Sequence, residues 1–138
     1  MITIAIDTMS GDFGPRVTVP ASVRALSFLP DMNLLLLGDN DAVQKELAKL
    51  HCNSNERLRI VHTTQTVAMD EKPLQVLRNR KDSSLYRGIA LLAEGEVQAF
   101  VSAGNTGAML VIGHHLLKMF DGIDRPAICA PIPTVNGQ

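Results

Sequence analysis

Apolar residues along this chain follow two alternating patterns, short unbroken runs and longer stretches with helical spacing. The runs Ile2 to Ile6, Asn33 to Leu37, Leu58 to His62 and Ala99 to Ser102 predict strands, and Ala127 to Ile132 predicts a last one. Between them, Val19, Val23, Leu26 and Leu29 mark a helical face over Val19 to Leu29, with Thr18 placed to cap it and Pro20 tolerable only in its first turn. Val43, Leu47 and Leu50 mark a second face over Asp39 to Leu50. Pro73 to Arg80 predicts a short helix opened by proline, and Ser83 is placed to cap another from Ser84 to Glu94. Met109, Ile112, Gly113, Leu116 and Phe120 share a face over Thr106 to Met119, and Thr63 to Lys72 reads as loop.

Strands that are apolar throughout belong to a sheet covered on both sides. Their alternation with helices predicts an α/β fold, a three-layer α/β/α sandwich around a mostly parallel sheet. No internal repeat, low-complexity tract or long linker interrupts it, so the chain reads as one domain or part of one. Its 138 residues suffice for one core, and a net charge of −1 argues against a general nucleic-acid or membrane-surface binder. Tryptophan is absent and aromatics are scarce, which removes a base-stacking platform. Cys52 and Cys129 stand far apart, as reduced thiols do, rather than in a disulfide framework or zinc site. Met1 leads straight into a strand ending near Asp7, and the apolar runs are too short to cross a bilayer. A cytoplasmic protein without a secretory leader is expected.

Two segments carry chemistry. Ser102-Ala103-Gly104-Asn105-Thr106-Gly107 turns from a strand into a helix, where first-turn N–H groups and the helix dipole favour an anion. Gly104 and Gly107 allow close backbone approach, and Asn105 or Thr106 is placed to cap the helix. The turn is neither a Walker A loop nor a complete dinucleotide fingerprint, because no Gly-Lys-Ser/Thr follows and only Gly-x-x-Gly is present. Asp7 to Pro15 follows the first strand with two carboxylates, two hydroxyls and two glycines. Loops that follow parallel strands converge on the carboxyl edge of the sheet, so both segments are expected to face one crevice.

Three motifs, Asp7-x-Met9-x-Gly11-Asp12-x-x-Pro15, Ser102-Ala103-Gly104-Asn105-Thr106-Gly107-Ala108 and Gly122-Ile123-Asp124-Arg125-Pro126-Ala127, occur in an order and spacing that resemble the bacterial phosphate acyltransferases. That family makes acyl-phosphate from acyl-acyl carrier protein for phospholipid synthesis. The resemblance runs from Met1 to Gln138 and implies a fold akin to phosphotransacetylases and isopropylmalate dehydrogenases. It departs at Ser10, where the family usually has glycine, and in length, since family members are more than twice as long. The chain is therefore expected to be the amino-terminal part of one phosphate acyltransferase domain, inactive in isolation.

The resemblance implies transfer of a fatty acyl group to inorganic phosphate, which is itself the nucleophile, so the scheme calls for no cofactor and no metal. The implied partners are acyl-acyl carrier protein, inorganic phosphate, a second copy in a homodimer, and a membrane glycerol-3-phosphate acyltransferase met peripherally. A short-chain phosphate acetyl- or butyryltransferase using coenzyme A is the alternative enzyme, and a non-catalytic phosphate- or carrier-binding fragment the alternative outside catalysis. Asp7, Gly11, Asp12, Ser102, Gly104, Asn105, Thr106 and Gly107 are the expected phosphate and substrate contacts, and no catalytic acid or base is assigned.

Each has a plainer reading. Asp7 and Asp12 equally serve turn N–H groups, Ser102 ends a strand, and Asn105 and Thr106 cap a helix while leaving room for an anion. Arg78, Arg80, Lys81 and Arg87 form a basic cluster suited to an acidic carrier protein or to a solvated helix face. Arg125 is placed to reach a phosphate or to fix the entry to the last strand. His114 and His115 are adjacent on a helix and point apart, which suits surface positions better than a shared metal. Met9, Met69 and Met109 fit an acyl channel or ordinary core packing.

Overall fold

The computed structural model describes residues 1–133. Four strands, β1 (Ile2–Asp7), β2 (Met32–Gly38), β3 (Leu58–His62) and β4 (Ala99–Val101), form one parallel sheet in the order β3-β2-β1-β4. Among the described residues five helices accompany them: α1 (Pro15–Phe28), α2 (Asn40–Lys49), α3 (Pro73–Asn79), α4 (Ser84–Ala93) and α5 (Thr106–Leu117). The architecture is the expected α/β type with a parallel sheet between helical layers.

The unbroken apolar run of β2 is explained by burial on both faces. Leu34 and Leu36 join Val19, Val43, Leu47 and Leu58 beneath α1 and α2. Leu35 and Leu37, pointing the other way, join Ala5 and Val97 beneath α4. Each fully buried leucine of this kind contributes roughly 1.5–3 kcal/mol of transfer free energy. A third cluster, Val76, Leu85, Ile89, Ala108 and Ile112, binds α3, α4 and α5 to one another.

This layering places the site. The chain steps from β1 to β2 to β3 with α1 and α2 on one face, then returns through α3 and α4 on the other face to add β4 on the free side of β1. The order reverses at β1, so the loops after β1 and β4 lead to opposite faces and open a crevice between the two carboxyl ends.

Several boundaries differ from the sequence expectation, each for a local reason. α1 begins at Pro15 rather than Val19, because Gly14 turns the chain at φ 52°, a left-handed value that glycine adopts without strain, and Pro15 fits the first helical position. Thr18 is therefore inside the helix, its hydroxyl 2.8 Å from the Thr8 carbonyl and 3.0 Å from that of Gly14. Pro20 lies beyond the first turn, and its missing N–H removes a donor from the helical ladder. Leu50 caps α2 and is exposed rather than lying on its buried face. α5 stops at Leu117, where Lys118 takes φ 64°, and leaves Phe120 in solvent instead of on the helix. Ala127 to Ile132 is not a strand: Pro126 and Pro131 lack backbone donors, and Ile128 and Ile132 are exposed.

α4 approaches β4 through Gly88, where an added Cβ would collide with the Phe100 ring. Gly88→Ala is expected to lower stability by about 1–3 kcal/mol through overpacking, and Phe100→Leu in the same chain to recover part of the loss. Chemical denaturation of the single and double variants measures both; additive losses would show that helix and ring do not press on each other.

Candidate functional site

The β1–β4 register pairs Ile6 with Val101, so the next residues, Asp7 and Ser102, meet at the carboxyl edge. The Ser102 hydroxyl donates to Asp7 Oδ2 at 2.8 Å and accepts the Gly104 N–H at 3.0 Å. Ser10 Oγ accepts the Ala103 N–H at 3.1 Å, lies 3.3 Å from Ser102 Oγ, and donates to the Asp7 carbonyl. The Met9 N–H bonds to Asp7 Oδ1, which occupies both oxygens of this buried carboxylate. Both oxygens are thereby engaged inside the loop junction. A Cβ on Gly104 would lie 3.0 Å from Ser10 Cβ and 3.1 Å from Ser102 Oγ, so this position holds glycine because the two loops close over it.

Ser102 and Ala103 lead into α5. Asn105 caps it, its Oδ1 accepting the Ala108 N–H at 3.0 Å. Among the described residues, the hydrogen bonds of this turn use the N–H groups of Ala103, Gly104 and Ala108 and none uses those of Thr106 and Gly107. These two amides head a twelve-residue helix with no acidic residue in its first turn. The dipole and the open donors together favour an anion at this end.

The far wall is the loop Thr63–Lys72. Its start is tied to the α3–α4 junction by Asp82 Oδ2, which accepts the Thr64 hydroxyl at 2.6 Å and the Thr64 N–H at 3.0 Å. Its end is tied by Glu71, which accepts the Ala68 N–H and pairs with Arg80 Nε at 2.9 Å. The Ala68 N–H, and after it the Arg80 guanidinium, hold the Glu71 carboxyl below the ordinary glutamate range. The Thr64 hydroxyl and N–H do the same for Asp82. The Asn105 amide nitrogen reaches this loop too, lying 3.2, 3.1 and 2.9 Å from the carbonyls of Ala68, Met69 and Glu71.

The structure brings the expected contact residues together, but not with one role. Asp7, Ser102 and Gly104 lie in the junction between the loops, and Gly11 stands beside Ala103. Thr106 is exposed at the helix start, and Asp12 is exposed, with no hydrogen bond or ion pair to its side chain among the described residues. The side chain of Asn105 is committed to the cap and the loop. Gly107 is small because a Cβ there would lie 2.9 Å from Pro73 Cγ, so it packs α5 against α3. Arg78, Lys81 and Arg87 are exposed, whereas Arg80 is engaged with Glu71. Met9 packs its sulfur against the Asp39 N–H, Met109 joins the helical cluster, and Met69 stands 60 % exposed on the loop. Ser10, Thr64, Glu71 and Asp82 went unassigned in the sequence, and only Ser10 carried a signal, as the departure from glycine. An apolar groove of about 390 Å³, lined by Ile4, Ile6, Ala25 and Val101, opens beside Asp7 and Ser102.

Among the described residues no group of three histidine, cysteine or acidic side chains is placed to hold a metal, and no helix is long and apolar enough to cross a membrane.

Fold and site define a doubly wound α/β protein whose topological switch point holds a crevice between the loops after β1 and β4. Comparison with known proteins identifies the family: residues 2–138 match the family described as fatty acid synthesis protein, and the chain belongs to it. It is 43 % identical over 137 residues to the phosphate acyltransferase of Vibrio campbellii, covering 99 % of this chain and 40 % of the relative. To the phosphate acyltransferases of Shewanella woodyi and Shewanella pealeana it is 45 % and 46 % identical over 135 residues, covering 98 % of this chain and 40 % of each relative. The chain thus spans about 40 % of the length of the curated relatives it matches.

The two lowered carboxyls set a pH response. The fold favours both as carboxylates, so their contribution to stability is complete above the ordinary carboxylate pKa of about 4 and is lost as pH falls through the lowered values. Carboxyl-carbon NMR titration should place both below ordinary surface acids. Arg80→Gln should raise the Glu71 midpoint without restoring it fully, because the Ala68 N–H remains, and should leave Asp82 unchanged. A Glu71 that does not respond would mean the ion pair is absent in solution.

Proposed function

We propose that this chain forms the phosphate-binding part of an acyltransferase that moves a fatty acyl group from acyl-acyl carrier protein to inorganic phosphate. The observation that carries the reading is the pair of open N–H groups, Thr106 and Gly107, at the head of α5 in a switch-point crevice. Relatives named phosphate acyltransferase, similar across almost this whole chain, support the reaction class.

Phosphate takes the two amides and the positive end of α5, with the Thr106 hydroxyl adjacent. One phosphate oxygen attacks the thioester carbonyl, a tetrahedral oxyanion forms, and the carrier thiolate leaves as the carbonyl reforms. Phosphate is the nucleophile, so Ser102 is not acylated; its proton is directed to Asp7 and its lone pairs receive the Gly104 N–H. The chain's task is to fix the attacking group in line and to carry its charge without reorganisation. Arg78, Lys81 and Arg87 are the exposed cations that meet the acidic carrier, and Arg80 belongs to the wall of the site.

Three measurements test this in the full-length protein. Phosphate titration should shift the amide resonances of Thr106 and Gly107 more than those of α1, and Gly104→Ala, which wedges the loop junction, should raise the phosphate KM by about tenfold or more. Unmoved amides would remove the anion site. Replacing Arg78, Lys81 and Arg87 with glutamate should raise the carrier KM and flatten its dependence on salt. Unchanged carrier kinetics would leave these cations as a solvated face.

A further inference from the structure

Asn105 carries a requirement that capping does not explain. Serine, threonine and aspartate would cap α5 as well as asparagine does. Only a side chain with both an acceptor and a two-proton donor can also serve the surroundings here, because Oδ1 takes the Ala108 N–H while the amide nitrogen faces the carbonyls of Ala68, Met69 and Glu71. The amide orientation is set by that chemistry: reversing it would put oxygen against three carbonyl oxygens. The residue is 7 % exposed, so these bonds are made away from solvent, where losing them costs most.

The loop it holds has no helix or strand of its own between Thr63 and Lys72. Asp82, Gln65, Glu71 and Arg80 tie it to the α3–α4 junction. Among the described residues, every hydrogen bond between the loop and the turn that heads α5 passes through the Asn105 amide. Asn105 also immediately precedes the two open N–H groups.

We infer that Asn105 is a positioning residue: it contributes to phosphate binding by clamping Ala68 to Glu71 as a wall beside the Thr106 and Gly107 amides, and its own side chain does not touch the phosphate. The inference rests on the functional reading above for the identity of the anion. With the clamp released, the wall retreats on its α3–α4 ties, water enters beside the amides, and the anion loses the sheltered environment in which those N–H groups act most strongly. The chemistry of the carrier side is untouched, so the effect falls on phosphate and not on the thioester.

The test uses Asn105→Ser and Asn105→Asp in the full-length protein, since both keep a helix cap and remove the clamp. Hydrogen exchange over Thr64 to Glu71 should accelerate by about tenfold or more in both, while α5 keeps its protection. Phosphate KM and the dissociation constant for inorganic phosphate should rise by about tenfold in both, with carrier KM unchanged. Unchanged loop exchange in both variants overturns the inference, as does a freed loop with wild-type phosphate affinity. A phosphate loss confined to the aspartate variant also overturns it, because that result is charge repulsion alone. Wild-type protein that binds no phosphate would sink the functional reading instead, and the exchange comparison would still decide whether Asn105 clamps the loop.

Discussion

The parallel pairing of β1 with β4 governs the rest of the crevice. Because Ile6 is in register with Val101, the first residues past each strand, Asp7 and Ser102, arrive side by side at the carboxyl edge. Their hydrogen bond, with the Ser10–Ala103 bond beside it, locks two loops that leave the sheet for opposite faces. α5 can start only where that junction releases the chain, so the direction in which its first amides point is inherited from strand register. A shift of one residue in β4 would turn Ser102 away from Asp7 and leave a buried carboxylate without its donor.

Around this junction the polar groups divide their work. The buried Asp7, Ser10 and Asn105 and the half-buried Ser102 satisfy one another or the backbone. Among the groups left open are the main-chain amides of Thr106 and Gly107. These amides present donors at fixed positions without flexible cationic side chains, and both oxygens of the Asp7 carboxylate are engaged by donors within the junction. The loop from Thr63 to Lys72 follows the same logic, because Glu71 and, from the α3–α4 junction, Asp82 are each turned toward one of its N–H groups.

The strands, the helical layers and both loops of the crevice were legible in the sequence because each depends on local pattern. Leu34 to Leu37 announces a strand buried on two faces, and Ser83 announces a helix start by residue type. Strand ends and partners were less legible. Nothing near Ala127 to Ile132 marks it as unpaired except its flanking and internal prolines, and the start of α1 depends on the dihedral angle of Gly14. The site residues were found as a group but not by role. Whether Gly107 meets a ligand or Pro73, or Asn105 a phosphate or a distant loop, is set by contacts 34 to 37 residues apart in the chain. Arg80 and Glu71 likewise become a pair only through the path of the intervening loop.

The loop junction spans the chain: Asp7 and Ser102 are separated by 95 residues, and Ser10 and Ala103 by 93. The core beneath α1 and α2 closes from residues no later than Ile60. Until β4 has been synthesised, the second edge of β1 is an open row of backbone donors and acceptors. Asp7 stands at the end of that edge with its serine partner not yet made. The contacts of that core therefore involve none of the residues on the β4 side of the crevice, and the crevice itself depends on the long-range pairing of β4 with β1.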